Sequence, residues 1–358
     1  MADDTWPLVS KDGVATLEFL GSIGLFVLLF RVGLESDLPS LVKKLPRSIP
    51  VWLGDIFLSG VPAYFLCDYY FGLELVPSLF VSVALTATSV GISADIWRES
   101  SALNTPNGET FIDVAELDDL SGIALLALLL AIAPLLKAGT NDHLLQVTVT
   151  TLGVFAIKLI GVLVACYFIA KYGERHLSQL LRKTSDPDSI LILVGTGIIF
   201  ATLAALMGFS LAIGALFAGL IFSRDPKAVK LESGFLPLNS FFAPFFFVLI
   251  GFEIDPNSLQ SALSLGGALL IVAILGKVIG AGGPALMFSG WAGAALIGVS
   301  MVPRAEIAMV IVQQGRELGD WAVPPEVYSS IMLVSLVTCM ISPFLIRWLI
   351  RNYPHSTG

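Results

Sequence analysis

The stretch IDVAELDDLSGIALLALLLAIAPLL, residues 112–136, decides how this chain is read. It is long enough to cross a hydrocarbon layer roughly 30 Å thick as a helix, which takes about 20 apolar residues. Acidic residues lie inside it, notably Glu116, Asp118 and Asp119. A charge at the bilayer centre costs at least about 2.5–3.5 kcal/mol on insertion scales, so such groups pair with one another or line a wet cavity, and function is the first hypothesis for them. Successive helical residues point about 100° apart, so the two aspartates border one cavity without facing each other across it. Adjacent carboxylates at that depth suit a small cation stripped of part of its shell. They also suit a proton, because burial and mutual repulsion favour the neutral acid. Beginning the helix later and making Asp118 an interfacial N-cap is disfavoured by the apolar residues already present at 111–114.

Composition extends this reading to the whole chain. Of 358 residues 56% are hydrophobic and 13% charged, with 20 Lys plus Arg and 28 Asp plus Glu, and the mean hydropathy is +0.86. Soluble domains carry about a quarter of their residues charged, so a cytosolic enzyme is excluded. Ten further apolar runs, at 17–34, 49–71, 76–95, 146–170, 188–207, 210–223, 237–252, 263–287, 291–315 and 327–350, predict eleven transmembrane helices in an all-α polytopic protein. Cys67, Cys166 and Cys339 lie in three separate runs without metal-site or disulfide spacing and read as packing. His143, His176 and His355 fall between runs, which disfavours zinc chemistry within the membrane. The net charge of −8 reads as dispersed loop acids.

Basic residues orient the chain. With the N-terminus outside, the cytoplasmic side receives Lys43, Lys44, Arg47, Arg98, Lys171, Arg175, Arg182, Lys183, Arg224, Lys227, Lys230, Arg347 and Arg351, whereas the outside receives Lys11, Lys137 and Arg316. The positive-inside rule therefore places the C-terminus in the cytoplasm. Residues 1–13 are acidic and lack a signal peptide's basic start and apolar stretch. A hydrophilic linker at 171–187 separates a first helical repeat, 17–170, from a second, 188–350, and residues 351–358 form a cytoplasmic tail.

Four basic residues fall inside runs: Arg31, Lys158, Lys277 and Arg304. Lys277 is too central to snorkel, and the aspartate pair is its best partner. Lys158 and Asp55 are secondary candidates, with a structural ion pair as probable as a transport role for Lys158. Two runs look broken. Thr86, Thr88 and Ser89 cluster in one, and Pro303 interrupts the other just before Arg304 and Glu306. Proline removes a backbone donor, and unwound backbone at that depth survives only where it is buried or lines a cavity. Secondary transporters build substrate sites from such half-helices, and the two breaks hold matching places in the halves, as in an inverted repeat. Helix packing by the hydroxyls is the plainer alternative for Thr86, Thr88 and Ser89.

Five motifs, LLFRVGLESD at 28–37, TATSVGI at 86–92, AELDDLSG at 115–122, GKVIG at 276–280 and PRAE at 303–306, together resemble the signatures of the monovalent cation:proton antiporters, in the branch of Kef-type and Nap-type exchangers. The resemblance implies two crossing discontinuous helices, a core domain and a dimerisation domain moving in an elevator-like cycle, and a homodimer. It implies that Asp118 and Asp119 are the cation and proton carboxylates, serving a monovalent cation only, and that Lys277 pairs with Asp118 when no cation is bound. Thr86, Thr88 and Ser89 then sit at the first crossing segment, and Pro303, Arg304 and Glu306 beside the second. An Asp-Asp pair with this lysine resembles the electrogenic members, which exchange two protons for one cation.

The chain departs from the family pattern in two places. Only residues 1–16 precede the first span, where two further helices normally stand before the glutamate motif at Glu35, so the chain reads as lacking the first one or two helices. Ala305 stands where glycine is common. No nucleotide-binding domain follows Arg351, so no cofactor and no dinucleotide regulation are expected. The function expected is antiport of Na+ or K+ against protons across a plasma membrane, serving pH homeostasis, rather than an enzymatic activity. Two alternatives are an intramembrane aspartyl protease, for which two aspartates on one helix have poor geometry, and a non-transporting truncated sensor or subunit. The partners expected are monovalent cations, protons and the lipid bilayer, with no nucleic acid.

Overall fold

The computed structural model describes residues 11–35, 38–138, 186–206, 209–222, 228–252, 254 and 259–357, with isolated helical positions between 150 and 164. Apart from one π-helical turn, Leu66–Tyr70, and a closing 3-10 turn, Pro354–Thr357, the elements are α-helices. They are α1 Lys11–Glu35, α2 Leu38–Phe65, α3 Leu75–Thr86, α4 Val90–Glu99, α5 Pro106–Ala138, α6 Asp186–Leu206, α7 Leu211–Phe222, α8 Ala228–Phe252, α9 Leu259–Ser300, α10 Glu306–Glu317 and α11 Pro325–Asn352. Among the described residues seven segments are long and apolar enough to cross a membrane. The run expected at 146–170 lies largely outside the described residues.

The helices fall into two compact units, residues 1–38 with 152–253 and residues 39–151 with 254–358. Each unit thus draws on both halves of the chain. In the first, α1 packs against α7 and α8. Gly33 and Gly219 lie backbone to backbone where α1 meets α7, and Phe30 packs its ring against those of Phe222 and Phe235. The motif at 28–37 therefore marks a close helix crossing.

The second unit holds α2–α5 and α9–α11. Gly290, at φ 65°, interrupts α9, a conformation that glycine alone adopts without strain. The limbs on either side fold back on one another: a Cβ on Gly298 would lie 2.7 Å from the Val278 carbonyl, and one on Gly282 2.9 Å from that of Ala294. This is the division expected between runs 263–287 and 291–315, although the second run is itself split.

Both expected breaks are present. Helix α3 ends at Thr86, Ala87 and Ser89 are extended (ψ 149° and 106°), and α4 begins at Val90. Helix α9 ends at Ser300 and α10 begins at Glu306. Pro303 explains the second break, since it lacks an N–H and bars its predecessor from helical angles. At the first break no proline intervenes, and a hydroxyl competes for the backbone instead: Thr86 Oγ1 donates to Val83 O at 2.8 Å. The two breaks cross each other, Ser89 N–H donating to Pro303 O at 2.7 Å and Thr88 Oγ1 reaching Met301 O at 3.3 Å.

Helix α5 starts six residues before the apolar run, at Pro106, where proline suits the first helical position. Thr105 caps it, its Oγ1 accepting from Gly108 N at 3.3 Å. Asp118 is therefore well inside the helix. At one end of this unit Arg347 pairs with Glu99 at 3.1 Å and Arg47 lies 4.4 Å over the Phe288 ring. At the other, Lys137 lies 4.2 Å over Trp321 and Arg316 pairs with Asp320 at 3.2 Å. Arg47 and Arg347 thus share one end of this unit, and Lys137 and Arg316 the other.

Candidate ion site at the helix crossing

Five elements meet at the crossing: α2, the α3–α4 break, α5, the first limb of α9 and the α9–α10 break. Helices α2 and α9 touch through glycine. A Cβ on Gly276 would lie 2.6 Å from the Leu58 carbonyl, and one on Gly280 2.6 Å from that of Gly54. Small residues spaced four apart let backbones approach this closely in a membrane. The residues following Gly54 and Gly276 are Asp55 and Lys277, so the contact sets carboxylate against ammonium.

We expect Gly280→Ala to destabilise the protein by roughly 1–3 kcal/mol, because the added methyl meets backbone that has nowhere to go. A Cβ on Gly283, on the same limb, meets open space, so Gly283→Ala is neutral or stabilising by up to about 1 kcal/mol from helix propensity. Thermal unfolding in detergent compares the two, and equal losses would refute the packing argument.

Lys277 is 0% exposed. Its Nζ donates to Asp118 Oδ2 at 2.7 Å, to Thr86 O at 2.6 Å and to Asp55 Oδ2. Asp118 Oδ2 also accepts from Thr88 Oγ1 at 2.7 Å. The expected Lys277–Asp118 contact is thus present, but the ammonium is shared with Asp55, which sequence reading held only as a secondary candidate. The GxxxG at 276–280 was the available signal: it marks a helix-packing face, and Lys277 sits beside it.

Arg304, also 0% exposed, is held by backbone. Its guanidinium donates to the carbonyls of Val302 (2.8 Å), Leu85 (2.9 Å) and Ala273 (3.3 Å). Lys277 and Arg304 together cap the last carbonyls of α3, where the helix dipole is negative. Its backbone is held as well, Arg304 N donating to Thr338 Oγ1 at 3.2 Å and Cys339 Sγ lying 3.1 Å from Arg304 O. Glu306 opens α10, where an acid complements the dipole, and accepts from Ser89 Oγ at 2.8 Å.

Helix α5 is held against the crossing by Gly122, whose Cβ would lie 3.3 Å from Ile307 and 3.6 Å from Ala87. Trp52 Nε1 on α2 donates to Ser121 Oγ at 3.2 Å, and Ser121 Oγ donates to Asp118 O at 3.1 Å. On the far side of the crossing Ser93 Oγ and Trp97 Nε1 of α4 hold Ser300, at 2.7 and 2.9 Å. Asp119 is half-buried. Among the described residues three buried carboxylate oxygens have no hydrogen-bond partner: Asp55 Oδ1, Asp118 Oδ1 and Asp119 Oδ1. Buried polar atoms are ordinarily satisfied, so each such orphan calls for a proton, a cation or water. Glu116 is half-buried and Lys158 is exposed; neither contributes to the hydrogen bonds given above.

Among the described residues, Asp55, Asp118, Asp119 and Glu306 stand near two cations, Lys277 and Arg304, and the Arg304 guanidinium donates to backbone carbonyls. Carboxylates thus outnumber basic groups at the crossing. A proteolytic dyad would instead share one proton between two carboxyls, whereas here an ammonium bridges Asp55 and Asp118.

The family of sodium/hydrogen exchangers, transmembrane, matches residues 5–352. The high-affinity Na(+)/H(+) antiporter NhaS3 of Synechocystis is 28% identical over 348 residues, covering 92% of this chain and 71% of that protein. The Na(+)/H(+)-K(+) antiporter GerN of Bacillus cereus is 31% identical over 333 residues, covering 92% and 82%. In fold, the chain is similar to the sodium proton antiporter MjNhaP1 of Methanocaldococcus jannaschii, with a TM-score of 0.62 at 15% identity, over 98% of this chain and 87% of that one. The chain is a multi-pass membrane protein of the sodium/hydrogen exchanger family, the monovalent cation:proton antiporters.

Proposed function

We infer that this antiporter exchanges Na+ or K+ for protons by alternating access, cation and proton competing for Asp118 and Asp119. The observation that carries the reading is the set of orphan oxygens on Asp118 and Asp119 beside a lysine already in contact with Asp118. A cation arriving at Asp118 weakens the hold on Lys277 and replaces protons, and its departure readmits them. Competition for one site couples the two fluxes. The driving force is the proton gradient plus about 2.3 kcal/mol per net charge per 100 mV.

The two repeats, 17–170 and 188–350, supply one broken helix each, α3–α4 and α9–α10, followed in each case by a long helix, α5 or α11. This pairing supports an inverted repeat. An orientation with the N-terminus outside and the C-terminus cytoplasmic fits Arg47 and Arg347 at one end of the second unit, and the family resemblance implies a homodimer in a plasma membrane. Purified protein in proteoliposomes, given NaCl, KCl and LiCl in turn with a pH-sensitive dye inside, tests the reading. Cation-dependent proton flux is expected with Na+ or K+; silence towards every monovalent cation would overturn it.

A further inference from the structure

The Lys277 ammonium has three protons and three acceptors, two of them carboxylates on different helices. Asp118 sits on α5 beside Asp119. Asp55 sits on α2, whose backbone is locked to that of α9 by the Gly54, Gly276 and Gly280 contacts, so the Asp55–Lys277 pair is built into one joint. Asp118 Oδ2, by contrast, divides its lone pairs between Lys277 and Thr88.

Once a cation neutralises Asp118, that carboxylate no longer holds the ammonium. Lys277 is 0% exposed, and a buried charge whose partner is lost costs several kcal/mol. With Asp118 alone as partner, the lysine would have to give up its proton. Asp55 removes that necessity, since it is in contact already and needs no rearrangement.

Resting on the antiport reading above, we propose that Asp55 is a positioning residue of the ion site: it retains the charged Lys277 when a cation occupies Asp118, so that Lys277 remains a fixed positive charge throughout the cycle. Lys277 then passes between two carboxylates instead of carrying a proton across. Without Asp55, the ammonium leans on Asp118 alone and an incoming cation must displace it.

The test is exchange in proteoliposomes as a function of external NaCl or KCl, whichever the wild type uses. Asp55→Asn is expected to raise the half-saturating cation concentration at least about tenfold, equivalent to about 1.4 kcal/mol, with a smaller effect on maximal rate. Asp55→Glu restores the carboxylate and most of the affinity. Lys277→Arg is expected to keep exchange, because a guanidinium does not lose its proton in proteins, whereas Asp55→Asn combined with Lys277→Arg loses it. A half-saturation unmoved by Asp55→Asn overturns the proposal, and so does a folded Lys277→Arg protein without exchange; either single variant decides alone where the other does not fold. A wild type silent to every cation removes the antiport reading itself, a different result from an active wild type with either of these failures.

Discussion

Asp119→Asn is expected to reduce exchange to the background of empty vesicles. Asp118 already spends one oxygen on Lys277 and Thr88, while Asp119 Oδ1 is buried and without a partner. The substitution keeps the size of the side chain but removes its negative charge and its exchangeable proton, so the competition that couples the fluxes disappears. Nothing in the crossing leans on Asp119, so the variant should fold as the wild type does and elute identically in detergent. Undiminished cation-dependent dequenching of the vesicle dye in that variant would remove Asp119 from the mechanism.

Lys277→Met carries the largest expected loss of stability. It leaves Asp55 and Asp118 facing each other without the ammonium that bridges them, and breaking one side of a buried ion pair costs about 3–5 kcal/mol. Thr86 O loses its donor at the same time. Adding Asp55→Asn to Lys277→Met removes one stranded charge and should recover part of the loss. Detergent unfolding of the single and double variants measures this. A single variant within about 0.5 kcal/mol of wild type, the range of an ordinary surface substitution, would mean that the lysine does not hold the crossing together.

Much of this site is legible in the sequence, and for particular reasons. Asp118 and Asp119 stand out because a long apolar run around them leaves no loop to explain them. The break before Arg304 is written in Pro303, and that after Thr86 in a cluster of hydroxyls. The start of α5 is less legible because hydropathy reports depth in lipid, whereas a helix ends where its hydrogen bonds end: Pro106 and the Thr105 cap begin it in polar sequence. The partner of Asp55 is not legible from its own run. It depends on Gly54 meeting Gly280 across two helices distant in sequence, a tertiary fact to which only the spacing of Gly276 and Gly280 alludes. The role of Arg304 is hidden for a similar reason, since its acceptors at Leu85 and Ala273 belong to other helices.

The capping of α3 by Lys277 and Arg304 bears on what the crossing asks of its surroundings. A helix ending in the middle of a membrane exposes carbonyls that solvent would serve at a protein surface. Here two side chains of the protein do that service permanently, at Leu85 and Thr86. The broken backbone therefore makes little demand on whatever enters. The unmet hydrogen-bonding capacity at the crossing then lies with its carboxylates, Asp55, Asp118 and Asp119, rather than with the broken backbone.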